Sequence, residues 1–157
     1  VAVYQIVTIP NDVLRAKAQP VKKINSGVIR LLNNMRDTLK AFDGVGIAAP
    51  QIGVSKRIII VEIGDELIEL INPEIISREG EQTGSEGCLS IPDTVGMVTR
   101  ANRVTVKGLN REGEEVIYEG EKLIARALQH EIDHLDGVLF IDRASELRKS
   151  NNLRSSS

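Results

Sequence analysis

Both histidines of this 157-residue chain fall in one five-residue window, His130-Glu131-Ile132-Asp133-His134. On an α-helix, which turns about 100° per residue, the two imidazoles project from one face roughly 40° apart and one turn along the axis. Glu131 then lies some ~60° from His134 on the same surface. One metal ion can bridge both rings there while the carboxylate reaches a water bound to it. A polar helix face with chance histidines is the weaker reading, because a chain so poor in histidine would rarely set both four apart around a glutamate. The window asks for a helix, and for further ligands carried to it from elsewhere in the chain.

What can surround that helix is bounded by composition. With 41% hydrophobic residues the chain is long enough for one globular domain with its own core. Aromatics make up only 3% and Trp is absent, so Ile, Leu and Val must build that core. Twenty Lys plus Arg against 22 Asp plus Glu leave a net charge of -2. That balance gives no global attraction to nucleic acid or an anionic membrane, and direct binding to either is not expected. The opening VAVYQIVTIP has neither a basic region nor a long apolar run, and no stretch approaches the ~18 apolar residues of a membrane span. The expected compartment is the bacterial cytoplasm; a processed organellar form would look the same. The sole cysteine, Cys88, cannot form an intrachain disulfide, which agrees with a reducing compartment and leaves its thiol available to a metal.

Residues 10–23 mix two prolines with charge and read as an irregular arm on the surface. From Ser26 to about Phe42, Val28, Leu31, Leu32, Met35 and Leu39 recur at helical spacing, and glycines follow. Residues 44–51 read as a loop, and Arg57 to Ile63 as a buried strand. Glu66 to Ile71 and Glu74 to Ile76 form two short strands about Asn72-Pro73, and 77–87 a polar loop leading to Cys88. Strands are expected over Val95 to Thr99, Val104 to Leu109 and Glu115 to Glu119, the last two joined by the hairpin turn Asn110-Arg111-Glu112-Gly113 and antiparallel. The final long helix runs from near Glu121 to Asp136, with Leu123, Ile124, Ala127, Leu128 and Leu135 on its apolar side and Gly137 to end it. Beyond Asp142 the polar sequence predicts a frayed helix or disordered tail.

His-Glu-x-x-His most often announces a zinc peptidase, and in one large class the pattern continues to a Gly and a third His. Here Gly137 is present, but Phe140 stands where that histidine is needed. Glu146 is the downstream acid left for a peptidase, and it lies in the polar tail. Cys88 is the better third ligand, at the end of a glycine-bearing polar loop. Thiolate plus two imidazoles suits Zn²⁺ or Fe²⁺ and leaves a fourth position to water, the mark of a catalytic site. A closed structural site would need an additional acid. Gly44-Val45-Gly46-Ile47-Ala48-Ala49 also fits G-x-G-x-x-A, but a helix precedes it and Pro50 follows, against a dinucleotide site. Those glycines read instead as places where another backbone approaches closely, with Gln51 offering an amide donor.

Together GVGIAAPQ at 44–51, EGCLS at 86–90 and QHEIDH at 129–134 resemble the three signature motifs of the peptide deformylase family. Pro10, Leu14, Arg15 and Pro20-Val21 extend the likeness over roughly Tyr4 to Asp142. Gly84 stands where some relatives carry a bulkier apolar residue. The resemblance implies an α+β fold, with short, mostly antiparallel strands packed around the metal-binding helix and a second amphipathic helix near the N-terminus. It implies one catalytic domain over residues 1–142 with a polar tail over 143–157. The implied activity is removal of the N-formyl group from the initiator methionine of new polypeptides as they emerge from the ribosome. The cofactor would be one divalent ion on Cys88, His130 and His134, Fe²⁺ in the cell with Zn²⁺ or another ion possible. Glu131 would move the proton, and the Gln51 amide and the Leu89 N–H would hold the oxyanion. Val45, Leu123 and Ala127 would line a methionine pocket, with Gly44, Gly46, Gly87 and Arg100 also at the substrate. Arg126 stands either at the pocket rim or as a solvated charge. A zinc peptidase and a structural metal-binding domain remain the alternatives.

Overall fold

The computed structural model describes residues 3–149. Helix α1 spans Ser26–Ala41, and the Asn25 side chain caps it by accepting from the Val28 N–H at 3.1 Å. A five-stranded antiparallel sheet has the order β1-β2-β3-β6-β7, formed by Gly46–Ala48, Ile58–Ile63, Glu66–Glu79, Arg103–Leu109 and Glu115–Glu121. A second, three-stranded sheet joins β4, β5 and β8, from Gln82–Cys88, Ile91–Arg100 and Glu146–Lys149. Helix α2 spans Lys122–Leu135, and the single turn α3 spans Phe140–Arg143. The fold is α+β, as the family resemblance implies.

The apolar run Ile58-Ile59-Ile60-Val61 explains the layering. Successive side chains of a strand point to opposite faces, so a strand covered on both sides loses its polar alternation. Ile59 and Val61 pack with Ala125, Ala127, Leu128 and Ile132 of α2. Ile58 and Ile60 pack with Val28, Leu32, Met35 and Leu39 of α1. The larger sheet is therefore a wall between two helices, and α2 is held from behind by an aliphatic core. A third cluster, Cys88, Ile91, Val98, Leu139 and Phe140, belongs to the smaller sheet.

Four segments depart from expectation. Residues 46–48 of the expected loop form β1, which is buried throughout, and Ala49–Ile52 make a 3-10 turn after it. The two strands about Asn72-Pro73 are one continuous strand, β3. Asn72 takes φ 53° in a bulge that absorbs the proline, and its side chain bonds both the N–H and the carbonyl of Val21. Most of the expected loop 77–87 is strand: β3 runs on to Glu79, and β4 begins at Gln82 and pairs with β5 from Gln82↔Arg100 to Cys88↔Ile91. Past Asp142 the chain is ordered through Lys149, with β8 added to β5 in the register Met97↔Glu146. The rest of the expected tail, 150–157, lies outside the described residues. The arm is largely irregular, as expected, but it is anchored: Leu14 and Ala18 are buried, and the Ala18 N–H donates to Leu135.

Gly137 ends α2 with φ 74°, and a Cβ there would collide with the Arg15 carbonyl. Gly64, at φ 60°, has nothing within 4 Å of the same position. Gly64→Ala should therefore cost only the left-handed backbone, about 1–2 kcal/mol, and Gly137→Ala clearly more. Denaturant unfolding of the two variants checks this, and equal losses would contradict it.

Candidate metal centre

Three elements meet at the site. Helix α2 presents His130 and His134 from one face, β4 ends at Cys88, and the turn after β1 presents Gln51. The ligand atoms of Cys88, His130 and His134 all lie within 4.8 Å of one another, and all three residues are buried. Cys88 Sγ stands 3.3 Å from His134 Nε2. Gln51 is fully buried; its Nε2 reaches Cys88 Sγ at 3.5 Å and Ser90 Oγ at 3.4 Å, while its Oε1 accepts from the Ala48 N–H at 2.9 Å.

Glu131 lies beside this cluster, fully buried, and neither of its carboxylate oxygens has a hydrogen-bond partner among the described residues. Burial pushes its pKa well above the usual carboxylate range, partly opposed by the charge of Arg100. A buried acid without donors is costly unless something else compensates it. Burial likewise drives His134 well below the ordinary histidine value, so its ring is the neutral form that ligates metals. A soft thiolate and two imidazoles form a donor set that fits one divalent cation, with the unpartnered acid beside it.

Glu86 orders the site from behind. It is buried at 1% exposure, and its Oε1 sits 2.9 Å from His130 Nδ1. It accepts from Arg100 Nε at 2.6 Å and Nη2 at 2.9 Å, and also from Arg126 Nη1. Burial alone would raise its pKa, but the bonds to His130 and Arg100 and their charges outweigh that and hold it well below the carboxylate range. An ionised Glu86 makes His130 Nδ1 the donor and leaves Nε2 as the ring nitrogen for an ion. Arg100 continues to Asp133 at 2.9 Å, and Asp133 also accepts from Arg143 at 2.6 Å.

The structure brings Cys88, His130, His134, Glu131 and Gln51 together, with Leu89 half-buried immediately after Cys88. At Gly46 the close neighbour is not another backbone: a Cβ there would stand 2.6 Å from Glu131 Oε2, so the glycine makes room for the acid. Val45 and Ala127 share the core cluster behind α2, with Gly44 half-buried ahead of them and Gly87 buried before Cys88. Leu123 departs from its expected place on the packed side of α2, since in the helix's first turn it is 47% exposed. Arg100, expected at the substrate, is tied to Glu86 and Asp133. Of the two readings of Arg126, a solvated charge is excluded by its burial at 7%. Sequence reasoning gave Glu86 no task. The available signal was its place two residues before Cys88, an acid close in sequence to a candidate ligand.

The polypeptide deformylase family model matches residues 3–150. The chain belongs to the peptide deformylase family. It is 63% identical over 147 residues to a peptide deformylase of Syntrophomonas wolfei subsp. wolfei, covering 94% of this chain and 97% of the relative. The crystal structure of peptide deformylase from Thermotoga maritima superposes with a TM-score of 0.90 at 40% identity, over 93% of this chain and all of that one (100%). A Met-Ala-Ser-bound class I type b peptide deformylase from Acinetobacter baumannii gives 0.87 at 37% identity, over 90% and 98% of the two chains. The family member described here is thus an enzyme, a hydrolase whose Cys/His/His cluster can hold one metal ion.

Gly46→Ala tests the fit of Glu131 into its niche. The added methyl should displace the carboxylate and lower kcat by roughly 10²-fold or more, the low end of what a positioned proton-transfer group contributes. Metal content per chain should be unchanged. Wild-type turnover in this variant would contradict the assigned role of the niche.

Proposed function

We propose that the chain carries out its family's reaction, removal of the N-formyl group from the N-terminal formylmethionine of new polypeptides, through Glu131, Gln51 and Leu89 beside an ion held by Cys88, His130 and His134. The observation that carries the assignment is Glu131, buried without a partner against that donor set. An amide is a weak electrophile, so hydrolysis needs an activated nucleophile, support for the oxyanion and a proton for the departing nitrogen. A bound divalent ion supplies Lewis acidity, which makes water acidic enough to attack near neutral pH. Glu131 accepts the proton of the attacking water and returns it to the leaving amine. Gln51 Nε2, aimed between Cys88 and Ser90, and the Leu89 N–H donate to the oxyanion; losing one such donor costs ~10²- to 10³-fold in kcat.

The substrate side follows from placement. Strand β1 is the edge of its sheet, so an extended peptide can add beside Gly44 to Gly46. The partly buried Val45 and the exposed Leu123 offer apolar surface for the methionine, with Ala127 buried one turn after Leu123. The relative that binds Met-Ala-Ser supports a peptide beginning with methionine as the product. Emergence of that substrate from the ribosome makes the bacterial cytoplasm the working compartment, and no described helix is long and apolar enough to cross a membrane. Fe²⁺ as the cellular ion rests on the family resemblance, since these donors accept Zn²⁺ as well. A peptidase built on Glu146 is disfavoured: that residue is exposed on β8 and does not join the donor cluster.

Metal-loaded protein given formyl-Met-Ala-Ser should release formate and Met-Ala-Ser, and should leave an unformylated peptide of similar length whole. Glu131→Gln should keep the metal and lose ~10²- to 10⁴-fold in turnover. Internal cleavage of the unformylated peptide would favour the peptidase, and metal binding with neither product a structural site.

A further inference from the structure

The second guanidinium on Glu86 has a place of its own in the site. Arg126 sits one turn before His130 on the same face of α2, and it is buried. Its Nη1 donates to Glu86 Oε2, and its Nε to Gln82 Oε1 at 3.3 Å. The guanidinium lies over Gly84 of β4, where a Cβ would stand 3.3 Å from Nη2 and 3.5 Å from Cζ. Gly84 and Glu86 alternate along β4 and so share one face, and Cys88 ends the strand just past a register shift after Gly87. The backbone at Gly84 is not left-handed, so the missing side chain provides space rather than an unusual conformation. One strand face therefore offers room for the planar cation and the carboxylate that binds it, and the same strand ends on the sulfur of the metal site.

We propose that Arg126, admitted by Gly84, is a positioning residue for the metal centre. It fixes the Glu86 carboxylate by one oxygen while the other oxygen holds His130 Nδ1, so the imidazole is turned to present Nε2 to the ion. The inference builds on the deformylase reading for its effect on turnover, while its effect on metal binding stands apart from that reading. An ion pair that merely fastened β4 to α2 would change stability and leave the ring's coordination alone.

Three variants separate the two roles. Arg126→Leu removes the cation, Gly84→Val keeps it but crowds it off the strand, and Arg126→Lys keeps the charge without the planar fork. In chelator competition, Arg126→Leu and Gly84→Val should each bind Co²⁺ about tenfold more weakly, the low end of the effect of losing a group that orients a ligand. The cobalt absorption bands should shift in both, and Arg126→Lys should recover part of each change. On formyl-Met-Ala-Ser, kcat should fall with KM little altered. Gly84→Ala and Arg126→Lys decide the question by the same readouts if the bulkier variants do not fold. Wild-type cobalt affinity and spectrum in Arg126→Leu would overturn the proposal, whatever its melting temperature. If the wild-type protein binds Co²⁺ yet releases no formate, the deformylase reading falls and the spectra still decide the role of Arg126.

Discussion

A buried negative charge on Glu86 ties the two halves of the site together. Its carboxylate is shared by Arg100 of β5, Arg126 of α2 and His130 of α2, while Glu86 itself stands on β4 two residues before Cys88. The same contacts that satisfy the acid therefore bring the only thiol of the chain against the only imidazoles. They also join the smaller sheet to the helix backed by the larger one. Removing the carboxylate would leave two guanidiniums buried without their principal acceptor, which is far more costly than never having buried the pair.

Such a cluster is a poor source of net stability, because desolvation offsets much of the attraction between its charges. Stability is carried elsewhere, by the aliphatic layers on both faces of β2. The charges specify geometry: with α2 held rigidly from behind, the bonds to Glu86 decide how the His130 ring is turned. Glu131 is the counterpart, an acid left without protein donors in the same interior, where a neighbouring cation would compensate it. Two neighbouring carboxylates thus have opposite fates, one held ionised by three partners and one raised by burial.

Helices α1 and α2 and strands β2, β5, β6 and β7 were legible because their apolar residues repeat at 3.6 or 2, or run unbroken through a wall covered on both sides. Strand β1 was not, since Gly46-Ile47-Ala48 is too short to show a period and buries every residue. Strand β4 was missed for the opposite reason: Gln82-Thr83-Gly84-Ser85 is polar and small, and becomes a strand because β5 supplies the ladder. Rare residue types made the site legible, as one Cys, two His and an intervening Glu have few other uses in this composition. The charges behind it were hidden, because an Arg read alone is a solvated residue by default and only the folded chain shows Arg100 and Arg126 converging on one acid.

A sulfur from β4 and two nitrogens from α2 are placed to enclose one cation beside Glu131. X-ray absorption at the metal edge of the loaded protein measures this directly. One sulfur at about 2.3 Å and two imidazole nitrogens at about 2.0–2.1 Å are expected for Zn²⁺, with the remaining scatterer a light atom from solvent. A first shell without sulfur, or one closed by a fourth side chain, would contradict it.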